Sequence, residues 1–244
     1  MNEIEKLKEM IASSGRIVFL GGAGVSTESG IPDFRSENGV FKAIREYGYP
    51  PETLLSRSFF DRHPDVFFKY YRDLLMNGGA KPNRAHLALA KLEAEGKLTA
   101  VATQNIDGLH TEAGSKNVYE LHGSIKRNYC MKCHKFYDDK FISGSDGVPH
   151  CECGGIVKPD VVLYEEGLDY DTLNGAVTHI MRADMMIVGG TSLQVYPAAG
   201  LIEYYRGDKL VLINKSSTSY DRYADLVIND SIGKVLGEAV GIPE

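Results

Sequence analysis

A doubly wound parallel α/β sheet carrying a smaller inserted module is the fold class this chain predicts, on three observations. Short β-rich apolar runs alternate with helical patterns. Several of those runs lack the in–out alternation of half-exposed strands, as strands buried on both faces should. A glycine-rich stretch, Gly21-Gly22-Ala23-Gly24, follows directly on the first run. The length, 244 residues, suits one medium domain, or one domain with a small insert. An apolar content of 43% and a charged content of 25% are those of an ordinary globular chain, which excludes fibrous and disordered classes. The net charge of −6 gives no general attraction to nucleic acid or to an anionic membrane surface. No run is long and apolar enough to predict a bilayer span.

Met1–Ser14 is charged, with Ile4, Leu7, Met10 and Ile11 at helical spacing. It reads as a docking helix and not as a signal peptide, so a cytoplasmic location is expected. Strand candidates follow at Ile17–Leu20, Leu98–Thr103, Val118–Leu121, Val161–Leu163, Met185–Val188, Leu210–Ile213 and Leu226–Ile228. Helical patterns lie between them, at Arg84–Glu95, Tyr170–Met181, Ala198–Tyr205 and Gly233–Val240. Two regions break this rhythm. Residues 37–79 hold no strand candidate but many aromatics (Phe41, Tyr47, Phe59, Phe60, Phe67, Phe68, Tyr70, Tyr71), which predicts a helical insert with its own small core. Residues 125–159 are glycine-rich and carry all four cysteines. The expected division is therefore one domain over 1–244: a Rossmann-like part at 1–36, 80–124 and 160–244, the helical insert, and a metal-binding module.

Cys130-x-x-Cys133 and Cys151-x-Cys153 form two tight pairs. Two such knuckles supply the four soft ligands of a closed tetrahedral zinc site, which would hold structure and leave the chemistry elsewhere. The alternatives are two disulfides or four unrelated thiols, and the expected reducing compartment favours zinc. So short and glycine-rich a segment buries too little apolar surface to hold its shape alone, and the metal would supply the missing stabilisation. His134 and His150 flank the cysteines, but four thiolates already fill such a site. His63, His86 and His179 read as surface or structural histidines.

The other polar motifs all follow strand candidates, where doubly wound sheets bind their ligands. The glycines after Leu20 let a phosphate approach the backbone and the next helix start, although the spacing is not G-x-G-x-x-G. Ile31-Pro32-Asp33-Phe34-Arg35 then offers a carboxylate, an aromatic face and a guanidinium as a clamp over a charged ligand. Thr103-Gln104-Asn105-Ile106-Asp107-Gly108-Leu109-His110 follows the second strand, and His122-Gly123 the third. His122 is the best candidate for a general base, because imidazole titrates near working pH. Gly189-Gly190-Thr191-Ser192-Leu193 and Asn214-Lys215 end later strands and suit phosphate and ribose. Together these clusters describe a dinucleotide across the sheet edge.

Taken together, GGAGVSTESGIPDFRS (Gly21–Ser36), TQNIDGLH (Thr103–His110), ELHG (Glu120–Gly123), the cysteine pairs and GTSLQVYPA (Gly190–Ala198) resemble the sirtuins, a family of NAD-dependent protein deacylases. The resemblance runs from Gly15 to about Asp230, with the motifs in the family's order. It implies a Rossmann-like doubly wound sheet with a zinc-ribbon and helical insert, NAD as cosubstrate, and one structural Zn2+. Ala23 and Thr27 would line the cofactor loop, with Phe34 and Arg35 on a mobile segment over the reacting ribose. Gln104 and Asn105 would face that ribose, while Ile106 and Asp107 would hold the nicotinamide carboxamide. His122 and Asn105 would be catalytic. Thr191, Ser192 and Asn214 would bind the adenosine half, with Asp230 a further candidate. An acetyl-lysine peptide would pair as a strand between Val161–Tyr164 and Leu193–Tyr196.

The implied reaction is attack by the acyl oxygen on the nicotinamide ribose, followed by His122-assisted hydroxyl attack and release of lysine and O-acetyl-ADP-ribose. The main rival is a protein mono-ADP-ribosyltransferase, which need not activate a ribose hydroxyl. An NAD-sensing module would have no use for Asn105, Asp107 and His122 together, and a dehydrogenase none for the zinc module. In one respect the chain departs from the family. Where many members carry aromatic-Gly-Glu after the strand at Val161–Leu163, this chain has Tyr164-Glu165-Glu166. In the helical insert, members that prefer acidic acyl groups resemble one another in a Tyr-x-x-Arg pair. Here Tyr71-Arg72-Asp73-Leu74 puts a leucine in the arginine's place, which predicts a preference for neutral acyl groups.

Overall fold

The strands with the most continuous apolar sequence lie at the centre of the sheet. The computed structural model describes residues 2–32, 43–76 and 79–243. In it β1 (Ile17–Gly21), β2 (Leu98–Thr103), β3 (Val118–Glu120), β7 (Met185–Gly189), β8 (Leu210–Ile213) and β9 (Leu226–Ile228) form a six-stranded sheet in the order β3-β2-β1-β7-β8-β9. Every pairing in it is parallel. Each residue of β1, β7 and β8 is buried, as expected where helices cover both faces.

The helices with both ends among the described residues include α1 (Glu3–Ala12), α2 (Pro51–Leu54), α3 (Arg57–Arg62), α4 (Pro64–Tyr70), α5 (Arg84–Ala94), α6 (Leu109–Glu112), α7 (Asp139–Ser143), α8 (Tyr170–Arg182) and α9 (Ile232–Val240). Alternate residues of each strand serve opposite layers. Ile17, Phe19, Val101, Ile187 and Val211 pack against Leu7 and Ile11 of α1, Leu89 and Leu92 of α5, and Val235 and Leu236 of α9. Val18, Leu20, Ala100, Met186 and Val188 pack against Ala176 and Ile180 of α8 and against Leu201 and Ile202. Each large apolar side chain buried this way contributes roughly 2 kcal/mol. Ala198–Tyr204, expected as an α-helix, is a 3-10 helix. Gly200 in its interior weakens the α form.

Val161–Leu163 does not join the parallel sheet. β6 (Val157–Val161) instead pairs antiparallel with β4 (Gly123–Cys130), and β5 (Phe136–Tyr137) completes a three-stranded sheet in the order β5-β4-β6. Pro159 fits this edge position, because proline cannot donate to a central ladder. Nor does the helical insert have a core to itself. Leu54, Phe59, Phe60, Phe67, Phe68, Tyr70 and Tyr71 share one cluster with Ile125, Cys130, Ile142, Cys151 and Val157. Several short helices without a sheet behind them bury their aromatics only by borrowing the cysteine module as a second wall.

Candidate active site

The chain runs outward from β1 through β2 to β3, then returns to β7 on the other side of β1. This places a topological switch between β1 and β7, where open α/β sheets bind ligands at the carboxyl ends of their strands. Those ends are in register here: Gly21 lies beside both Thr103 and Gly189, and Gly189 beside Ile213. The loops after β1 and β7 touch. Gly24 N–H donates to the Gly190 carbonyl at 2.8 Å. A Cβ on Gly24 would come within 2.7 Å of Gly190 Cα, and one on Gly190 (φ +61°) within 2.4 Å of Val25 N. Only glycine permits this approach. Thr27 Oγ1 braces the turn by donating to Gly24 O at 3.0 Å. Asn83 holds the same turn from outside: its amide donates to Val25 O at 2.7 Å and Ser29 Oγ at 2.9 Å, while its Oδ1 caps α5.

The cluster after β2 folds onto this loop. Ser26 Oγ donates to Asp107 Oδ2 at 2.7 Å and accepts from Asn105 Nδ2 at 3.0 Å. Asp107 Oδ1 accepts from Leu109 N–H at 2.9 Å, so both carboxylate oxygens are fixed. Gln104 N–H donates to Gly21 O at 2.9 Å and its side chain to Thr191 Oγ1 at 3.3 Å. Thr191 N–H in turn donates to Asn214 Oδ1 at 2.9 Å. His122 Nδ1 lies 3.0 Å from Gln104 O. A carbonyl can only accept, so this nitrogen carries a proton, the tautomer that in a neutral ring leaves the lone pair on Nε2.

A cavity of about 510 Å³ opens at this edge, lined by Ala23, Ser26, Gln104, Asn105, Ile106, Asp107, His122, Thr191 and Ser192. Thr27 and Asn214 stand behind the lining, and Phe34 and Arg35 lie outside the described residues. Val161–Tyr164 forms one wall of the cavity, and Val195 and Tyr196 belong to another. Glu165 takes the left-handed conformation (φ +76°), which explains why a glycine suits this position in the family pattern. Glu120, the carboxylate of the ELHG motif, bonds Arg127 at 2.6 Å, and Arg127 reaches Asp160 at 2.7 Å, linking the two sheets beside His122. Burial pushes the Glu120 carboxyl up, against the pull of Arg127.

Three features of this site escape a reading of the sequence. Ser26 lies 81 residues from Asp107, and within a glycine-rich loop it reads as a spacer. Asn83 and Arg127 act on the site through elements that no local motif connects. His110 and His86 form a buried pair, with ring centroids 4.7 Å apart. His63 packs on Phe59 and His179 on Tyr119.

None of the four cysteines is in a disulfide, and all four Sγ atoms lie within 4.8 Å of one another. Cys130 and Cys153 Sγ lie 3.4 Å apart, and Cys133 and Cys151 3.5 Å. Four thiolates about 2.3 Å from a common centre have edges of about 3.8 Å, so the donor set fits a tetrahedral zinc ion. Neither His134 nor His150 belongs to the cluster.

Comparison with known proteins agrees with this geometry. The model of the Sir2 family matches residues 22–197. The NAD-dependent protein deacetylase of Clostridium perfringens (strain 13 / Type A) is 65% identical over 241 residues, covering 98% of this chain and 99% of that protein. Its counterpart in Clostridium acetobutylicum is 61% identical over 238 residues, covering 97% of each. A solved Sir2 structure with deacetylated p53 peptide and 3'-O-acetyl ADP ribose superposes with a TM-score of 0.88 at 39% identity, over 99% of this chain and 100% of that one. Another, of Sir2 with p53 peptide and NAD+, has a TM-score of 0.85 at 40% identity and covers 100% of both chains. A nucleotide-type sheet edge, a four-thiol module and a matching family model over most of the length lead to one assignment: the chain belongs to the Sir2 family.

Proposed function

We infer that this chain is an NAD-dependent protein-lysine deacetylase, moving the acetyl group from lysine to ADP-ribose and releasing nicotinamide and O-acetyl-ADP-ribose. The observation that carries the reading is the meeting of three strand ends at one cavity, where the Ser26–Asn105–Asp107 network stands with His122. The residues fit NAD. The glycine loops leave no room for side chains, and the buried amide nitrogen of Asn214 has no partner within the protein. The relatives bear the same activity in their names.

When bound, NAD supplies the ribose acceptor of the acyl group and nicotinamide as the leaving group. The chain's own residues bind, orient and move protons. Ala23 and Thr27 shape the loop over the phosphates, and Thr191, Ser192 and Asn214 hold the adenosine half. Gln104 and Asn105 face the reacting ribose. Ile106 and Asp107 hold the carboxamide of the leaving group, with the Asp107 carboxylate kept in place by Ser26 and the Leu109 N–H. His122 Nε2 takes a ribose hydroxyl proton, while its Nδ1–H stays on the Gln104 carbonyl. Preorganised donors of this kind need no rearrangement as charge develops. Phe34 and Arg35 are assigned to the segment that excludes water. The acetyl-lysine peptide adds as a strand between Val161–Tyr164 and Leu193–Tyr196. Cys130, Cys133, Cys151 and Cys153 hold one structural zinc.

We also propose the matching division of the chain, with the Rossmann-like part at 1–36, 80–124 and 160–244. The common core of the insert (37–79) and the cysteine module (125–159) supports reading them as one smaller lobe. A cytoplasmic setting suits a tetrathiolate site; no helix among the described residues is long and apolar enough to cross a membrane.

Mass spectrometry of an acetyl-lysine peptide incubated with enzyme and NAD tests the reaction. Loss of acetyl with equimolar O-acetyl-ADP-ribose is expected, and added ADP-ribose mass on protein would replace the reading by mono-ADP-ribosyl transfer. His122→Ala should lower turnover by about 10² to 10⁴-fold, the usual worth of a general base, with far less change in NAD affinity. Near wild-type turnover in this variant removes His122 from its role.

A further inference from the structure

Glu165 stands in a conformation that L side chains rarely adopt, φ +76°, on the cavity wall. Such a conformation persists only where its surroundings over-determine it. The surroundings here are specific. Glu165 Oε2 accepts from the Ser58 N–H at 2.9 Å, and Oε1 from the Ser58 hydroxyl at 3.0 Å. Ser58 lies in the first turn of α3, where backbone N–H groups have no partner within the helix. The flanking backbone joins the same turn: Tyr164 N–H donates to Leu55 O and Arg57 N–H to Tyr164 O, each at 2.9 Å. Glu166 adds an ion pair with Arg57 at 3.1 Å while accepting from the Leu163 N–H at 2.9 Å. Burial pushes the Glu166 carboxyl up, but the Leu163 N–H and the Lys158 and Arg57 cations outweigh it and hold it below the usual range. Two successive carboxylates therefore grip two successive residues of α3.

A glycine at 165 would relax the backbone but provide no grip. An alanine would keep the strain and lose the grip. Only a side chain that reaches Ser58 accounts for both observations.

We propose that Glu165 is a positioning residue for the acyl peptide. Anchored on Ser58, it fixes the Val162–Tyr164 backbone in the register that receives the substrate strand. The proposal rests on the reading of this wall as a peptide-docking edge. Glu165 touches no reacting atom, so its effect belongs in the KM for peptide and not in kcat or the KM for NAD.

Steady-state kinetics on the full chain test it. Glu165→Gly should raise the peptide KM about tenfold, the equivalent of one hydrogen bond to a charged acceptor, with kcat and the KM for NAD within about twofold. Glu165→Gln should recover most of the loss, because its amide oxygen still accepts from the Ser58 N–H and its NH2 can donate to the hydroxyl. Ser58→Ala should raise the peptide KM in the wild-type background and add nothing to Glu165→Gly. A peptide KM within twofold of wild type in Glu165→Gly overturns the proposal, as does an equal fall in kcat in Glu165→Gly and Glu165→Gln. Peptides N-methylated at the amides flanking acetyl-lysine check the docking edge on wild-type enzyme. If they bind as well as the parent peptide, the edge itself is misassigned and the proposal falls with it. If they bind more weakly while Glu165→Gly leaves the KM unchanged, only the role of Glu165 is lost.

Discussion

Ser26 Oγ accepts from an amide and donates to a carboxylate, and both partners face the cavity. One hydroxyl thereby fixes the orientation of Asn105 and Asp107 at once. Beneath this network lie His86 and His110, fully buried. Neither ring nitrogen of His110 has a partner within the protein. Burial pulls His110 down to about 3, helped by its neighbour His86. Burial likewise pulls His86 down to about 4, against the opposing charge of Asp107. The unfolded chain protonates these rings near 6.5. Below that pH it binds protons that the folded chain refuses, so the stability present above pH 6.5 is lost as pH falls towards 4. For a drop of two pH units the loss is on the order of 2 kcal/mol per histidine. His110→Leu should flatten this dependence, read as the difference in Tm between pH 7.5 and pH 5. A wild-type slope no steeper than the variant's would mean that the pair does not titrate in this way. At this scale the strand-end residues were legible in the sequence, because a polar cluster after an apolar run marks a sheet edge. Ser26 and Asn83 were not, since their partners are distant in the chain and only the fold brings them together.

The elements divide in the same way. β1, β2, β7, β8 and β9 were readable because continuous apolar runs of strand length have few other uses. β6 was misplaced because an apolar run does not name its partner strand. The aromatic richness of α3 and α4 was plain, but not that the cysteine module forms the other wall of their core. That shared wall has a consequence. Cys130 and Cys151 are buried in the cluster that holds Phe67, Phe68 and Tyr70, so metal loss should not stay local. Cys151→Ser is expected to lower the zinc-to-protein ratio well below one, and to lower Tm while loosening α4, because metal binding and local folding share one free energy. Atomic emission measures the ratio, and hydrogen exchange over residues 64–70 measures the loosening. A wild-type ratio near zero in active enzyme overturns the structural zinc, and unchanged exchange in the zinc-free variant overturns its coupling to the helices.

The whole molecule brings a nucleotide-type sheet edge and a small aromatic lobe to opposite walls of one cavity, and acyl choice depends on what the second wall presents. Tyr70, Met76, Ile106 and Leu163 line it. Arg72 does not: its guanidinium donates to Ile142 O at 2.9 Å and to Gly147 O, and lies 5.6 Å from the Phe68 ring centre. Tyr71 is fully buried and stacks on Phe67 at 5.7 Å. The side chain of Leu74, in the place of the family's arginine, lies outside the described residues. Lys126, at the cavity margin, is paired with Asp139 at 2.8 Å, and Lys140, also on the lining, is exposed to water. A succinyl carboxylate taken into this cavity would therefore leave water for an apolar and aromatic wall with no buried cation among its described residues to meet it, an outcome that costs several kcal/mol. Acetyl-lysine carries no such charge, and short neutral acyl groups gain apolar contact instead. On one peptide sequence, kcat/KM for the acetyl form should exceed that for the succinyl form by at least about 10²-fold, the equivalent of roughly 3 kcal/mol. Adding a cation with Leu74→Arg should narrow the ratio by raising the succinyl value. A succinyl kcat/KM equal to or above the acetyl value in the wild-type enzyme would mean that a cation reaches the acyl group from elsewhere, and Lys140 would then be the first residue to replace.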